Sequence, residues 1–171
     1  MSCLITSGIA QGCRNNAGGV KKFYIGSVNL TTATTVSSGG TGTITSFTSF
    51  SAYTFYPNKN SSDFVENYQV SIENGTVGYE QVVNMSFSKL QAATRNQVLL
   101  LAQGDLWIIV EDRNGKFWLL GEEEGMTLSG GNAGSGKVLT DKNGYLLTFT
   151  GMEGLPAQEV TAAAVSSVVL G

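Results

Sequence analysis

The sequence predicts a mainly β protein: a single-domain β-sandwich or barrel with one α-helix packed beside it and long hairpins. Three observations carry this. Glycine is abundant (22 residues), prolines number two, and charged residues are only 13%, which with heavy Ser and Thr usage suits many turns joining uncharged strands. Apolar and polar residues alternate on both sides of an Asn74-Gly75 turn. A run, Leu106-Trp107-Ile108-Ile109-Val110, is apolar at both parities and fits a strand covered on both faces. A length of 171 residues suits one domain, 1–171, with a full core.

In chain order, residues 1–19 carry few periodic apolar positions and read as an N-terminal arm or long loop. Residues 21–28 make a first strand, with Phe23 and Ile25 on one face and Tyr24 on the other. The Thr/Ser/Gly tract 29–42 predicts a strand fragment and a mobile loop around Ser37-Ser38-Gly39-Gly40. Residues 43–56 alternate loosely between aromatic and small polar side chains, as half-buried strands do, and Pro57 ends the stretch.

A long hairpin follows, 64–73 and 76–87. Tyr68, Val70 and Ile72 face one way, matched by Val77, Tyr79, Val83, Met85 and Phe87; Asn67, Gln69, Ser71 and Glu73 face the other. Strands of about ten residues exceed the usual five to six, and the excess is free to pair with a neighbouring subunit.

The helix is expected over 89–103. Ser88 and Gln91 form a Ser-x-x-Gln capping box and Gly104 supplies the stop. Leu90, Ala93, Thr94, Gln97, Val98, Leu100 and Leu101 share a face; Leu99 falls among polar residues, either as a singly exposed leucine or as a subunit contact. After the central strand, Asp112-Arg113-Asn114-Gly115-Lys116 reads as a type I turn with Gly115 left-handed and Asp112 opposite Lys116, returning through 117–120. An acidic stretch at 122–125, a glycine-rich loop at 127–137, a turn at 141–144 and a strand at 145–150 follow. Residues 159–171 are read as a final strand or a tail ordered by a partner.

The chemistry is bounded mostly by what is missing. A formal net charge of −3 and no Lys/Arg cluster argue against nucleic-acid binding. No apolar run is long enough for a membrane span, and the mixed N-terminus is taken as mature sequence made in a cytoplasm. With no histidine, Ser-His-Asp and Cys-His nucleophiles and the usual zinc sites are excluded. Cys3 and Cys13 are expected as reduced, partly buried thiols; oxidised, they would close a short loop. Gly131 to Lys137 matches G-x-x-x-x-G-K, but Val138 stands where magnesium needs Ser or Thr, and a turn follows in place of a helix. Glu111, Asp112 and Glu122 to Glu124 are read as solvated carboxylates, without the ligand spacing of a calcium loop. The sequons at Asn29, Asn60, Asn74 and Asn84 are what chance gives in such a composition.

The opening CLITSGIAQGCRNNAGGVKKFYI, the segment IENGTVGYEQVVNMSFSKL, the block QVLLLAQGDLWIIVEDRNGKFWLLGEEEGM and the later KNGYLLTFTG resemble virion structural proteins of tailed phages of Bacteroidetes-type bacteria. The order of elements is similar to the tail tube protein family. That resemblance implies a six-membered ring stacked into a hollow tube, with hairpin strands closing an inner β-barrel across subunits. It implies no catalytic residue, metal or cofactor. Its partners would be other copies of the chain, other tail proteins and DNA in transit, with no membrane. Its location would be the virion tail, assembled in the host cytoplasm. If the long hairpin lines the lumen, Asn67, Gln69, Ser71, Glu73 and Glu80 form the inner surface; Leu99, Gly131, Gly134 and the N-terminal arm are candidate subunit contacts. Two alternatives stand beside this reading. One is a capsid or head-completion protein of the same virion. The other is a monomeric carbohydrate-binding sandwich using Tyr53, Phe55, Tyr56, Trp107 and Trp118, against which the apolar setting of Trp107 argues.

Overall fold

The computed structural model describes residues 5, 7–28, 35–38 and 42–170, the segment 35–38 by its backbone. The chain runs through β1 (Val20–Ser27), β2 (Thr35–Ser38), β3 (Thr43–Thr48), β4 (Tyr53–Phe55), β5 (Asp63–Ser71), β6 (Thr76–Ser88), α1 (Ala92–Leu101), β7 (Leu106–Asp112), β8 (Phe117–Leu120), β9 (Thr127–Gly134), β10 (Gly144–Glu153), β11 (Gln158–Val160) and α2 (Ala162–Val168). Seven strands make one sheet in the order β2-β3-β11-β8-β7-β1-β4, and four make a second in the order β5-β6-β10-β9. Every pairing between these strands is antiparallel except β11 with β3; a parallel bridge also joins Ala52 to Val169.

Strand β7 lies in the interior of the larger sheet, as its unbroken apolar run requires. Leu106, Ile108 and Val110 join Phe23 and Ile25 of β1 in a core against Val83, Met85, Leu147 and Phe149 of the second sheet. Trp107 and Ile109 point the other way, into a second core with Tyr24, Phe50, Leu119 and the α2 residues Ala164, Val165 and Val168. The molecule is therefore layered: second sheet, first sheet, then α2 with the segment between β3 and β4. Each large apolar side chain of β7 contributes about 1.5–3 kcal/mol by its burial. The hairpin out of β7 forms as expected, with the Asp112 N–H donating to the Lys116 carbonyl at 2.9 Å and Gly115 at φ 76°.

Several local expectations change. Helix α1 begins at Ala92, and its N-cap Gln91 makes no side-chain capping bond. Ser88 is the last residue of β6, paired with Gly144, and its hydroxyl donates to Asn58 Oδ1 at 2.6 Å. Asn143 satisfies the N–H groups ahead of the helix instead: its carbonyl accepts from Lys89 N–H at 2.7 Å and its side chain from Leu90 N–H at 2.9 Å. Of the expected apolar face only Leu101 is fully buried, with Val98 packed beside it, and the helix ends there, short of Gly104. The half-buried strand pattern expected over 43–56 is carried by two strands, β3 and β4, toward opposite ends of the sheet; Ser49, at φ 58°, lies between them. Ser37 and Ser38 belong to β2, while Gly39 and Gly40 lie outside the described residues. The C-terminal region is β11 and a second helix, α2, whose N-cap Thr161 accepts from Ala164 N–H at 3.3 Å. A short apolar run with small residues suits either period, so the pattern alone did not reveal this helix.

The second core depends on one close approach. Residues 49–52 cross β1 at Gly26, where a β-carbon would overlap the Ser51 carbonyl oxygen and the Phe50 ring. Phe50 in turn lies 5.2 Å from the Trp107 ring. Gly26→Ala should lower the unfolding free energy by about 1–3 kcal/mol, the usual cost of overpacking, read as a fall in the thermal unfolding midpoint. An unchanged midpoint would mean that this crossing does not limit the fold.

Candidate functional site

The second sheet has two open edges, β5 and β9, and a hairpin that overhangs it. Strand β10 stops at Glu153 opposite Tyr79, whereas β6 and β5 continue to Thr76 and Ser71. The turn between them is four residues, Ile72 to Gly75, with Gly75 at φ 65°, longer than the two-residue Asn-Gly turn expected. Along the overhang the pairs Tyr68↔Tyr79 and Val70↔Val77 share the face that, nearer the body, packs into the core. Here no described residue covers it. Tyr68 and Val77 are exposed, Val70 is 63% exposed, and Ile72 at the turn is 92% exposed. The two tyrosines meet edge to face at 5.3 Å.

The opposite face collects most of the residues expected to line a lumen. Asn67, Gln69 and Ser71 lie there in register with Glu80, Gly78 and Thr76. Glu80 Oε2 accepts from Asn67 Nδ2 at 3.3 Å and Gln69 Nε2 at 3.4 Å. Further along, Asn84 donates to Asp63 at 3.4 Å and accepts from the Thr148 hydroxyl at 3.0 Å. Glu73 sits in the turn and is not held on this face by strand parity, because the strand ends at Ser71. No Lys or Arg projects from the four strands on this face; Lys142, from the β9–β10 loop, reaches Ser86 Oγ at its far end.

The stretch read as a glycine-rich loop is strand β9 for most of its length. Gly131 and Gly134 pair with Leu147 and Gly144, and Gly131 lies so close to the Leu146 carbonyl that a β-carbon would collide with it. Strand pairing, which needs no side chain, overrides a composition typical of loops. Only after Gly134 does the chain leave the sheet, and Asp141 then accepts from the Lys137 and Val138 N–H groups at 2.7 and 3.0 Å. Leu99 lies exposed on α1. Cys13 is exposed rather than partly buried; Cys3 lies outside the described residues. Trp107 is buried in the second core and cannot join Tyr53 and Tyr56 in a sugar platform.

The carboxylates read as solvated are in part structural. Glu111 is buried and accepts from Lys21 Nζ and Tyr24 Oη, both at 2.8 Å. Burial alone would raise its pKa, but these two hydrogen bonds outweigh it and hold the group below its ordinary value. Gln81, on β6, is fully buried: its Oε1 accepts from Gly121 N–H at 2.9 Å and its Nε2 donates to Glu66 at 3.1 Å. Glu153 accepts from the Glu123 and Glu124 N–H groups at 2.8 and 3.2 Å, while Glu123 accepts from Gly154 N–H at 2.9 Å. Gln158 Nε2 donates to Glu122 at 2.9 Å. These contacts clamp the acidic loop onto the end of β10. Among the described residues, no group of three His, Cys, Asp or Glu side chains is placed to hold a metal ion.

Comparison with family models, curated proteins and solved structures finds no match to this chain, so its function is argued from geometry.

Burial, and then neighbouring Glu123, push the Glu122 carboxyl above its ordinary range; burial does the same for Glu153. The folded protein thus holds these protons more tightly than the unfolded chain, and their contribution, present in acid, is lost as pH rises through the raised folded pKa. Glu122→Gln should raise the unfolding midpoint at pH 8 by about 2 °C, roughly what a gain of half to one kcal/mol gives at this size, and leave it unchanged at pH 4. Thermal unfolding across that range checks the slope.

Proposed function

We propose that copies of this chain join edge to edge into closed rings that stack as a hollow tube, and that the tube is the DNA conduit of a phage tail. The observation that carries the reading is the second sheet, which among the described residues has two different unpaired edges and an overhanging hairpin whose apolar face has no intramolecular cover. Joining the β5 edge of one copy to the β9 edge of the next is a heterologous contact, which closes a ring when the rotation per copy allows. Neither edge carries the lysine or proline that commonly guards an exposed strand. Covering Tyr68, Val70, Ile72 and Val77 with a neighbour would contribute about 1.5–3 kcal/mol for each large apolar side chain fully buried.

With the edges joined, the face bearing Asn67, Gln69, Ser71 and Glu80 lines the channel, and Glu73 sits at its rim. With no Lys or Arg on these four strands and scattered carboxylates on this face, passing phosphates meet no counter-charge and a weak repulsion. The partners are other copies, further tail proteins at the tube ends, and DNA in transit. Leu99, on the helix, remains outside this edge contact.

Mass by light scattering and negative-stain microscopy of the purified protein test the assembly: rings or tubes of uniform width are expected, and a stable monomer at high concentration overturns it. Val70→Asp with Val77→Asp should abolish the rings while moving the unfolding midpoint little, since exposed substitutions usually cost within about 0.5 kcal/mol. Glu73→Lys with Glu80→Lys should leave tubes intact and impair DNA ejection from phage carrying them; normal ejection would remove the lumen assignment.

A further inference from the structure

Three Asn-Gly pairs occur in the chain, at 74–75, 114–115 and 143–144. An asparagine followed by glycine has a reaction open to it without an enzyme. The glycine nitrogen, unshielded by a β-carbon, attacks Cγ of the asparagine side chain. The N–Cγ bond forms, the nitrogen gives up its proton, and the side-chain amide leaves as ammonia, closing a succinimide ring. Water then opens the ring on one side of the nitrogen or the other, leaving aspartate in the original backbone or isoaspartate with an extra methylene in the main chain. One water is consumed and one ammonia released, and nothing is oxidised or reduced. Ring closure needs both the side-chain amide and the glycine nitrogen to be free to move together.

The fold withholds that freedom from two of the pairs. Asn114 is held at both ends of its amide: Oδ1 accepts from Ala17 N–H at 2.8 Å, and Nδ2 donates to Asn16 Oδ1 at 2.6 Å and to the Ala17 carbonyl at 3.0 Å. The Gly115 N–H donates to the Asp112 carbonyl at 3.2 Å. Asn143 Oδ1 accepts from Leu90 N–H at 2.9 Å, and the Asn143 carbonyl accepts from Lys89 N–H at 2.7 Å. Gly144 is buried in β10 between β6 and β9, with the Phe87 carbonyl crowding the place of a β-carbon.

At the overhanging tip these restraints are missing. Asn74 and Gly75 are both exposed, and nothing lies within 4 Å of where a Gly75 β-carbon would stand. Among the described residues the Asn74 side chain and the Gly75 N–H have no hydrogen-bond partner; only the Asn74 N–H is engaged, donating to Ser71 Oγ at 3.4 Å. We propose that Asn74-Gly75 is a self-modification site, at which the folded chain converts the Asn74 amide to a carboxylate through a succinimide while the other two Asn-Gly pairs are protected by the fold. The product adds a negative charge to the formal net −3, beside Glu73 and the 92% exposed Ile72. Position 74 then records how long the tip has stood in solvent. This goes beyond the assembly reading and does not depend on it.

The test is peptide mass spectrometry of the full chain, incubated at mildly alkaline pH in a dilute sample that light scattering shows to be monomeric. Conversion of amide to acid should run at least about tenfold faster at Asn74 than at Asn114 or Asn143, equivalent to about 1.4 kcal/mol of restraint on the slower pairs. In urea the three rates should converge, since each site is then an unrestrained Asn-Gly. Equal rates in the folded chain, or a lead by Asn114 or Asn143, overturn the assignment. A lead for Asn74 that persists undiminished in urea also overturns it, because the difference then lies in the flanking sequence and not in the fold. Asn74→Gln, whose longer side chain does not close the same ring, should lose the signal while moving the unfolding midpoint little; an undiminished signal from that peptide places the change elsewhere and removes the site.

Discussion

The whole architecture follows from β7 having no polar face. A strand that is apolar at every position from Leu106 to Val110 must be covered on both sides. One cover is the four-stranded sheet. The other is assembled from pieces far apart in sequence: residues 49–52, held against β1 by the absence of a side chain at Gly26, and α2 near the other end of the chain. The chain breaks at Ser49 between the Phe47 and Phe50 rings, both of which pack on Trp107.

Polar residues fix how these layers meet. Gln81 ties the four-stranded sheet to Gly121 at the end of β8, and Glu66, which accepts from both Gln81 and Ala157 N–H at 2.7 Å, ties it to the approach to β11. Glu153 holds the acidic loop. Each is a charged or amide group whose partners are mostly backbone N–H groups, which is how a buried polar side chain avoids the cost of lost hydration. The apolar cores fill the space between sheets without specifying their offset; these directed bonds specify it.

What was legible in the sequence was what depends on local period. The alternation from Phe64 to Phe87 gave the hairpin and its two faces, and the run at 106–110 gave the central strand. Partners distant in sequence were not legible. The box from Ser88 to Gln91 was a sound local signal, yet β10 pairing extended β6 through Ser88 and Asn143 supplied the cap. Gly131 and Gly134 looked like loop because a strand held only by its backbone has no side-chain signature. Of the surface residues singled out, Asn67, Gln69, Ser71 and Glu80 do share one face, since parity placed them; Glu73 does not, because turn length is set by the pair Ser71↔Thr76 and not by the Asn-Gly dipeptide alone.

The position of β11 bears on when the larger sheet is complete. It lies between β3 and β8, parallel to one and antiparallel to the other, although it is the last of the described strands to be synthesised. Until it arrives, the β2–β3 hairpin has no neighbour in the larger sheet, and α2, which follows directly, cannot cap the second core. A nascent chain can therefore complete its four-stranded sheet while the larger one is still in two parts. Such long-range closure folds slowly. An incomplete chain would therefore hold the two parts of the larger sheet without the strand that joins them.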